Sequence, residues 1–170
     1  MNAIKHSKPQ PRRLSAWFTI LLALTLHSTM LHADGTDDAI NQLIDGLHED
    51  AASANFSNYF SRFAPHAVFL GTDRHERWSI EDFKAYAKPH FDAGRGWRYE
   101  VRERYLAGSG DTRWFDEVLW NEKYGHCRGT GVVTKTPQGW LISHYSLAFL
   151  IPNESAADVG VITKAFDAQP

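Results

Sequence analysis

Two adjacent carboxylates within an apolar segment are the first residues whose chemistry stands out. Asp116 and Glu117 interrupt the apolar run that extends from Trp114 to Trp120. Because successive residues of a strand point to opposite faces, we expect one carboxylate to face the interior and the other to face away. A carboxylate inside an apolar cavity has a raised pKa and can act as a general acid or base. The alternative is a structural ion pair with an arginine on a neighbouring strand, for which the candidates are Arg102, Arg104 and Arg128.

Two histidines are further candidates because imidazole exchanges protons near neutral pH. His144 lies in an apolar stretch near the C-terminus, between Ile142 and Ser146 on one predicted strand face. It is the candidate catalytic partner of the carboxylates, and Tyr145 beside it is a candidate hydrogen-bond donor to a developing oxyanion. His48 flanks a helical apolar stripe and is placed to meet His144 at a cavity mouth. The alternative for each histidine is a hydrogen-bonded, half-buried structural role.

Aromatic residues are frequent, at 13% of the chain with six Trp. Core packing accounts for most of them, and we expect two or three to line an apolar pocket for a small molecule. The predicted ligand contacts are His48, Asn55, Tyr59, Trp78, Trp97, Tyr99, Arg128 and Tyr145.

Other classes of site find little support in the sequence. Asp73, His75 and Glu76 are close together, but their spacing matches no dedicated metal motif, so no metal and no cofactor is predicted. Glu76 is interpreted as a structural anchor near Trp78. The single cysteine, Cys127, is expected to be a buried, inert thiol. A formal net charge of -2 provides no basic surface, so nucleic acid is not an expected partner.

The first 33 residues are typical of a secretory signal peptide. Four basic residues precede an apolar run from Leu14 to Leu31, and Ala33 supplies the small residue at the cleavage point. The alternative is an N-terminal membrane anchor, but polar residues interrupt the run and make it short for a membrane span. We therefore predict cleavage after Ala33, an exported protein that is periplasmic or secreted, and no stable membrane anchor. The mature chain then has 14 basic and 20 acidic residues.

Hydrophobic periodicity predicts two helices followed by a sheet. Apolar residues recur at helical spacing from Asp37 to about Ala64, and a second helix is expected from Ile80 to Lys88, before Pro89. Ser79 with Asp82 resembles a capping box. A short strand covers 67–70, and from Gly96 onward the period changes to two, which predicts four more strands joined by short turns. The expected class is α+β, with a curved antiparallel sheet and helices on its concave face. Residues 155–170 are expected to form a C-terminal tail.

Four short motifs lie along these elements. They are Phe69-Leu70-Gly71-Thr72-Asp73 with Glu76-Arg77-Trp78, then Trp114-Phe115-Asp116-Glu117, then Arg128-Gly129-Thr130-Gly131-Val132, and last Gly139-Trp140 leading to Tyr145 and Ile151-Pro152-Asn153. Together with the order of elements, these motifs resemble the SnoaL-like branch of the nuclear transport factor 2-like superfamily over about residues 39 to 154.

The resemblance implies a cone-shaped cavity between sheet and helices, and a homodimer formed through the sheet. It does not imply one function, because relatives include polyketide cyclases, ketosteroid isomerases, dehydratases and non-catalytic binders. Relatives tend to carry Asp where this chain has Asn55, and an amide cannot act as a general base. The leading hypothesis is an exported domain that binds a small, largely apolar ligand. The alternatives are an acid–base enzyme of the isomerase, cyclase or dehydratase type, and an interaction module that uses its sheet face.

Overall fold

The computed structural model describes residues 35–168, so the predicted signal peptide, 1–33, lies outside the described residues. Residues 35–168 form four α-helices, six strands and one 3-10 turn, Asn153–Ser155. The helices are α1 (Gly35–Ala52), α2 (Phe56–Ser61), α3 (Ile80–Asp92) and α4 (Ala156–Asp167). The strands are β1 (Phe63–Leu70), β2 (Arg77–Ser79), β3 (Glu100–Ser109), β4 (Thr112–Asn121), β5 (Gly125–Thr136) and β6 (Gly139–Phe149).

One curved, open sheet contains all six strands, in the order β2-β1-β6-β5-β4-β3. The predicted meander is confirmed, since β3, β4, β5 and β6 pair in succession and antiparallel. However, β1 pairs with β6 in parallel, with Phe69 opposite Tyr145, so the sheet is mixed and the expectation of a purely antiparallel sheet was wrong. The chain leaves β1 through β2 and α3 and returns through β3, β4 and β5, which brings β6 alongside β1 in the same direction. No local pattern in the sequence predicts this pairing.

The single long helix expected over 37–64 is two helices. The first ends at Ala52, and Ala54 adopts a left-handed conformation with φ 53°. Asn55 then caps α2 by accepting a hydrogen bond from the backbone nitrogen of Asn58 at 3.3 Å. The apolar spacing continues across this break, so periodicity alone could not locate it. Ala64, the expected end of this helix, and Pro65 after it both lie within β1.

The second predicted helix is confirmed at its start and extended at its end. The Ser79 hydroxyl accepts from the backbone nitrogen of Asp82 at 3.2 Å, as the capping pattern predicts. The helix passes Pro89 and ends at Asp92. The ring of Phe91 is buried against Phe56 and Trp97, and this packing holds the last turn in place despite the missing proline N–H.

The core lies between the inner face of the sheet and α1, α2 and α3, and it is strongly aromatic. Phe69 on β1 stacks on Phe83 of α3 with ring centres 3.9 Å apart. Each such buried side chain contributes on the order of 1.5–3 kcal/mol. Trp97 packs against Tyr59 of α2 but precedes β3, so its predicted place on a strand was wrong.

The C-terminal tail forms a helix, α4, which the sequence did not predict. An ion pair between Arg74 and Asp167 at 2.7 Å ties its last residue to the loop after β1. Within residues 35–168, no helix has both the length and the apolar character needed to cross a membrane.

Candidate functional site

A cavity of about 260 Å³ opens between the helices and the inner face of the sheet. Its wall is predominantly aromatic, and its non-aromatic lining residues are Leu47, His48, Ala51, Gly71, Thr72, Glu76 and Leu147. The ten aromatic lining residues are Tyr59, Phe69, Trp78, Phe83, Tyr86, Trp97, Tyr99, Tyr124, Tyr145 and Phe149. A cavity of this size and lining suits a ligand of one or two fused rings.

The regular spacing of residues in the helices and strands directs these side chains into the cavity. On α1, Leu47, His48 and Ala51 share one face because helix positions three and four apart are neighbours. On β6, Tyr145 and Leu147 point inward because alternate strand residues share a face. Each wall is thus a regular element, which fixes the shape of the cavity.

One wall of the cavity is polar and is organised by Glu117. The Oε1 atom of this carboxylate lies 2.8 Å from Nε2 of His48 and accepts the hydroxyl hydrogen of Tyr145 at 3.1 Å. Glu117 itself is fully buried, at 0% exposure, behind these two side chains. His48 and Tyr145 are therefore the groups that a ligand would meet, and Glu117 orients both.

Arg104 completes the network from the other side. Its Nε donates to Oε2 of Glu117 at 3.1 Å, and its Nη1 pairs with Oδ1 of Asp45 at 2.7 Å. Burial raises the pKa of Glu117, but the hydrogen bonds and positive charges of His48 and Arg104 outweigh burial and leave the pKa below its usual value. Because Glu117 is then an ionised acceptor, Nε2 of His48 must carry the donated hydrogen, and in the neutral ring Nδ1 is the basic nitrogen.

The cavity phenols are held in their protonated form. Burial and the negative charge of Glu117 raise the pKa of Tyr145 well above its usual value. Burial likewise raises the pKa of Tyr59, and it raises the pKa of Tyr99 to about 12. Tyr145 directs its only hydroxyl hydrogen to Glu117, so it offers a ligand an acceptor oxygen. This geometry contradicts the predicted role of Tyr145 as donor to an oxyanion.

Gly129 on β5 leaves the space in which this network fits. A Cβ atom at this position would lie 2.9 Å from Oε1 of Glu117 and would also collide with the hydroxyl of Tyr145. Gly131 likewise faces the ring of Phe115 and the backbone oxygen of His144. The two glycines therefore allow aromatic rings to approach β5 closely, and Gly131 also allows the backbone of β6 to do so.

Six predicted ligand contacts line the cavity: His48, Tyr59, Trp78, Trp97, Tyr99 and Tyr145. Asn55 does not, because its exposed side chain caps α2. Arg128 is also misplaced, since its neighbours Cys127 and Gly129 are buried and the alternation of the strand turns Arg128 to the exposed outer face.

The predicted catalytic carboxylates separate as expected, with one inward and one outward. Glu117 is the inward residue, and its pairing with Arg104 confirms the ion-pair alternative. Asp116 lies on the outer face of the sheet, between the buried residues Phe115 and Glu117. It is therefore not placed to act in the cavity.

His144 was also predicted on the wrong face. A register shift between β5 and β6 at Val132/Val133 breaks the alternation, so that both Ile142 and Tyr145 are buried. His144 then lies on the outer face, opposite Val68 of β1. It does not meet His48, whose partner is Glu117.

Sequence reasoning missed the mouth of the cavity. Thr72 and Glu76 come from the loop after β1, Tyr86 from α3, Tyr124 from the turn after β4, and Phe149 from the end of β6. These segments meet only in the folded chain. The one available signal was the large number of aromatic residues close to turns.

Residues 35–168 contain no group of three or more His, Cys, Asp or Glu side chains that could hold a metal ion. Cys127 is buried, as predicted, and burial raises the pKa of its thiol.

Comparison with known proteins identifies the fold. The sequence of residues 40–152 matches the family model of the SnoaL-like domain. An NTF2-like protein of unknown function from Pseudomonas putida is similar in structure, with a TM-score of 0.59, 13% identity, and coverage of 71% of this chain and 90% of the other. A proposed aromatic ring hydroxylase from Novosphingobium aromaticivorans has a TM-score of 0.60 and 18% identity over 69% of this chain and 91% of its own. A proposed dehydratase of the NTF2-like family from Streptomyces avermitilis has a TM-score of 0.59 and 10% identity. The match covers 70% of this chain and 99% of the dehydratase. No curated protein matches the chain. At these identities the structural likenesses establish the fold alone.

Proposed function

The chain belongs to the SnoaL-like domain family, and from its cavity we propose that it binds a small, planar, largely apolar molecule. The observation that carries this proposal is the lining itself, in which aromatic rings surround a polar wall formed by His48 and Tyr145. Aromatic walls bury the body of a ligand, and a few fixed polar groups orient it.

The shape of the wall supports a flat ligand. Phe69 lies nearly parallel to both Tyr145 and Phe83, at interplanar angles of 16° and 20°. Trp78 is also close to parallel with Phe83, at 9°. These rings stack face to face, so the flat ring of a ligand can extend the stack at one end with the same offset geometry.

Calorimetric titration with 2-naphthol tests this function, because its two rings fit the wall and its hydroxyl group can reach the polar side chains. Leu147→Trp would fill the cavity and should abolish the binding that the native chain shows. Val118→Trp adds the same bulk on the outer face and should leave binding unchanged. Absence of binding by the native chain, or equal loss in both variants, would contradict the proposal.

A second candidate is acid–base catalysis, and one contact favours it. His48 donates from Nε2 to an ionised carboxylate at 2.8 Å, which fixes the tautomer and leaves Nδ1 as the basic nitrogen. In this candidate Nδ1 removes a proton from a carbon next to a carbonyl group, and the electron pair moves onto the carbonyl oxygen. The predicted cavity carboxylate would then be a positioning residue, and His48 would replace His144 as the base.

Exchange of the protons next to the carbonyl of 2-tetralone in D₂O, followed by NMR, tests the second candidate. His48→Gln keeps a hydrogen-bond donor for Glu117 but has no basic nitrogen, so exchange should fall about a hundredfold or more. His144→Gln, on the outer face, should exchange at the native rate. Exchange by the native chain no faster than by buffer would leave ligand binding as the function.

A further inference from the structure

The mouth of the cavity combines a carboxylate with aromatic rings. Glu76 lines the cavity, and its Oε2 accepts a hydrogen bond from the backbone nitrogen of Asp73 at 3.1 Å. Its side chain packs closely on Gly71, where an added Cβ would lie 2.9 Å from Cβ of Glu76. These contacts fix the side chain as the predicted structural anchor. No other hydrogen bond or ion pair to its carboxylate occurs among residues 35–168.

The rings around Glu76 form an exposed rim. Tyr86 stacks on Trp78 with ring centres 4.7 Å apart, and Phe149 contacts Tyr124 with ring centres 5.0 Å apart. After burial, the negative charge of Glu76 is the next cause that raises the pKa of Tyr86, which places the carboxylate close to this phenol. Tyr86, Tyr124 and Phe149 are 46%, 51% and 40% exposed, so the rim is open to a ligand.

No Lys or Arg among residues 35–168 forms an ion pair with Glu76. Within the described part of the chain, the cavity lining includes no Lys or Arg side chain. Arg74 is paired with Asp167, and Arg77 follows the opposite face of β2 from Trp78. Both arginines line an adjoining groove that shares Glu76 with the cavity. Lys123 lies over Tyr124 with Nζ 4.8 Å from the ring centre, so one rim ring already binds a cation on its face.

We infer that the ligand carries a positively charged amine, which lies at the mouth between the carboxylate of Glu76 and the rings of Trp78 and Tyr86. This inference rests on the proposed binding function and adds the chemical class of the ligand: a planar apolar body with a cationic group at one end. Ring faces attract a cation through their quadrupole, and the carboxylate adds direct charge attraction. The acidic balance of the chain, with 18 basic and 20 acidic residues, favours the approach of a cation.

A matched pair of probes separates the charge from the ring system. 1-Naphthylmethylamine is protonated at pH 7, and 1-naphthylmethanol is its neutral counterpart of nearly equal size. Calorimetric titration should show the amine binding about 5- to 30-fold more tightly than the alcohol. Higher salt should reduce this preference, since the rim is exposed.

Glu76→Gln removes the charge but retains an oxygen that can accept from Asp73, so the loop should keep its conformation. In this variant the two probes should bind with nearly equal affinity, and the affinity for the alcohol should match that of the native chain. Glu76→Asp, which keeps the charge, should retain part of the preference. Glu103→Gln makes the same change of net charge on the distant strand β3 and should retain all of it.

The outcomes distinguish the two proposals. Equal affinity of the native chain for both probes, or tighter binding of the alcohol, would overturn the cationic ligand and leave small-molecule binding intact. A preference that survives in Glu76→Gln would overturn the role of Glu76. Failure of both probes to bind would overturn the binding function, and this inference with it.

Discussion

His48 on α1 and Glu117 on β4 are 69 positions apart in the chain, yet Nε2 of the one lies 2.8 Å from Oε1 of the other. The contact joins the first helix to β4, the strand next to the edge strand β3, at the polar wall of the cavity. It also determines which nitrogen of His48 carries a hydrogen. One hydrogen bond therefore serves both the packing of the domain and the chemistry that the cavity offers.

Removal of Arg104 should destabilise the protein strongly. Arg104→Met leaves Glu117 buried with only His48 and Tyr145 as partners, and loss of one partner of a buried ion pair costs about 3–5 kcal/mol. Urea unfolding measures this change in the free energy of unfolding. Arg102→Met removes an exposed arginine that pairs with Glu100, and it should cost no more than about 1 kcal/mol. Equal stability of the two variants would show that the buried network contributes little.

Stability should fall in acid because of Glu117. The pKa of this carboxyl is below its ordinary value of 4.5 in the folded chain, so the folded state favours the ionised form. Its contribution to stability is present above pH 4.5 and is lost as the pH falls through the folded pKa.

Thermal melts between pH 7 and pH 3 measure this loss. Glu117→Gln should start from a lower melting temperature and lose less of it in acid than the native chain. Glu103→Gln, on the exposed side of β3, should follow the native profile. An unchanged acid dependence in Glu117→Gln would assign the effect to other carboxylates.

Gly129→Ala should disrupt the polar wall. The added methyl group collides with the hydroxyl of Tyr145 and approaches Glu117, and such overpacking costs about 1–3 kcal/mol. Ligand binding should weaken as well, since Tyr145 must move. Gly160→Ala provides a matched control, because nothing lies within 4 Å of an added Cβ there and alanine favours the helix. A Gly129→Ala variant with native stability and native probe affinity would contradict the close packing.

The exported protein should begin at Asp34. Ala33 ends the apolar N-terminal segment, so mass spectrometry of the protein expressed with its full N-terminus should give the mass of residues 34–170. Recovery of a chain that begins at Met1 would favour the membrane-anchor alternative or a protein that is not exported. Export and the homodimer remain predictions.

The meander and the Ser79 helix start could be predicted because their signals are local. Alternation of polar and apolar residues indicates the strands β3 to β6. The hydroxyl of Ser79, followed three residues later by the acidic Asp82, indicates the N-cap of α3. The sequence could not predict which face of β4 is buried, because apolar residues flank Asp116 and Glu117 on both faces of the strand. Only the helices packed on one side determine that Glu117 is the buried carboxylate.

The errors on β6 and at the start of the domain also have physical causes. A bulge reverses the alternation near His144, and a left-handed residue at Ala54 divides a stripe of apolar residues that otherwise continues. The partnership of His48 with Glu117 depends on the tertiary packing of α1 on the sheet. No spacing within one element encodes that contact.

The parallel pairing of β1 with β6 has a consequence for the order in which the chain assembles. β1 spans Phe63–Leu70, whereas its partner spans Gly139–Phe149, so the β1–β6 ladder cannot form until nearly the last part of the domain has been synthesised. Before that point only the three residues of β2 can pair with β1, and Phe69 has no Tyr145 to cover it. Such distant pairing slows folding and prolongs the exposure of apolar strands. A chain that ends before Gly139 should therefore aggregate instead of forming a smaller domain, and a nascent chain should remain open until its final strand is available.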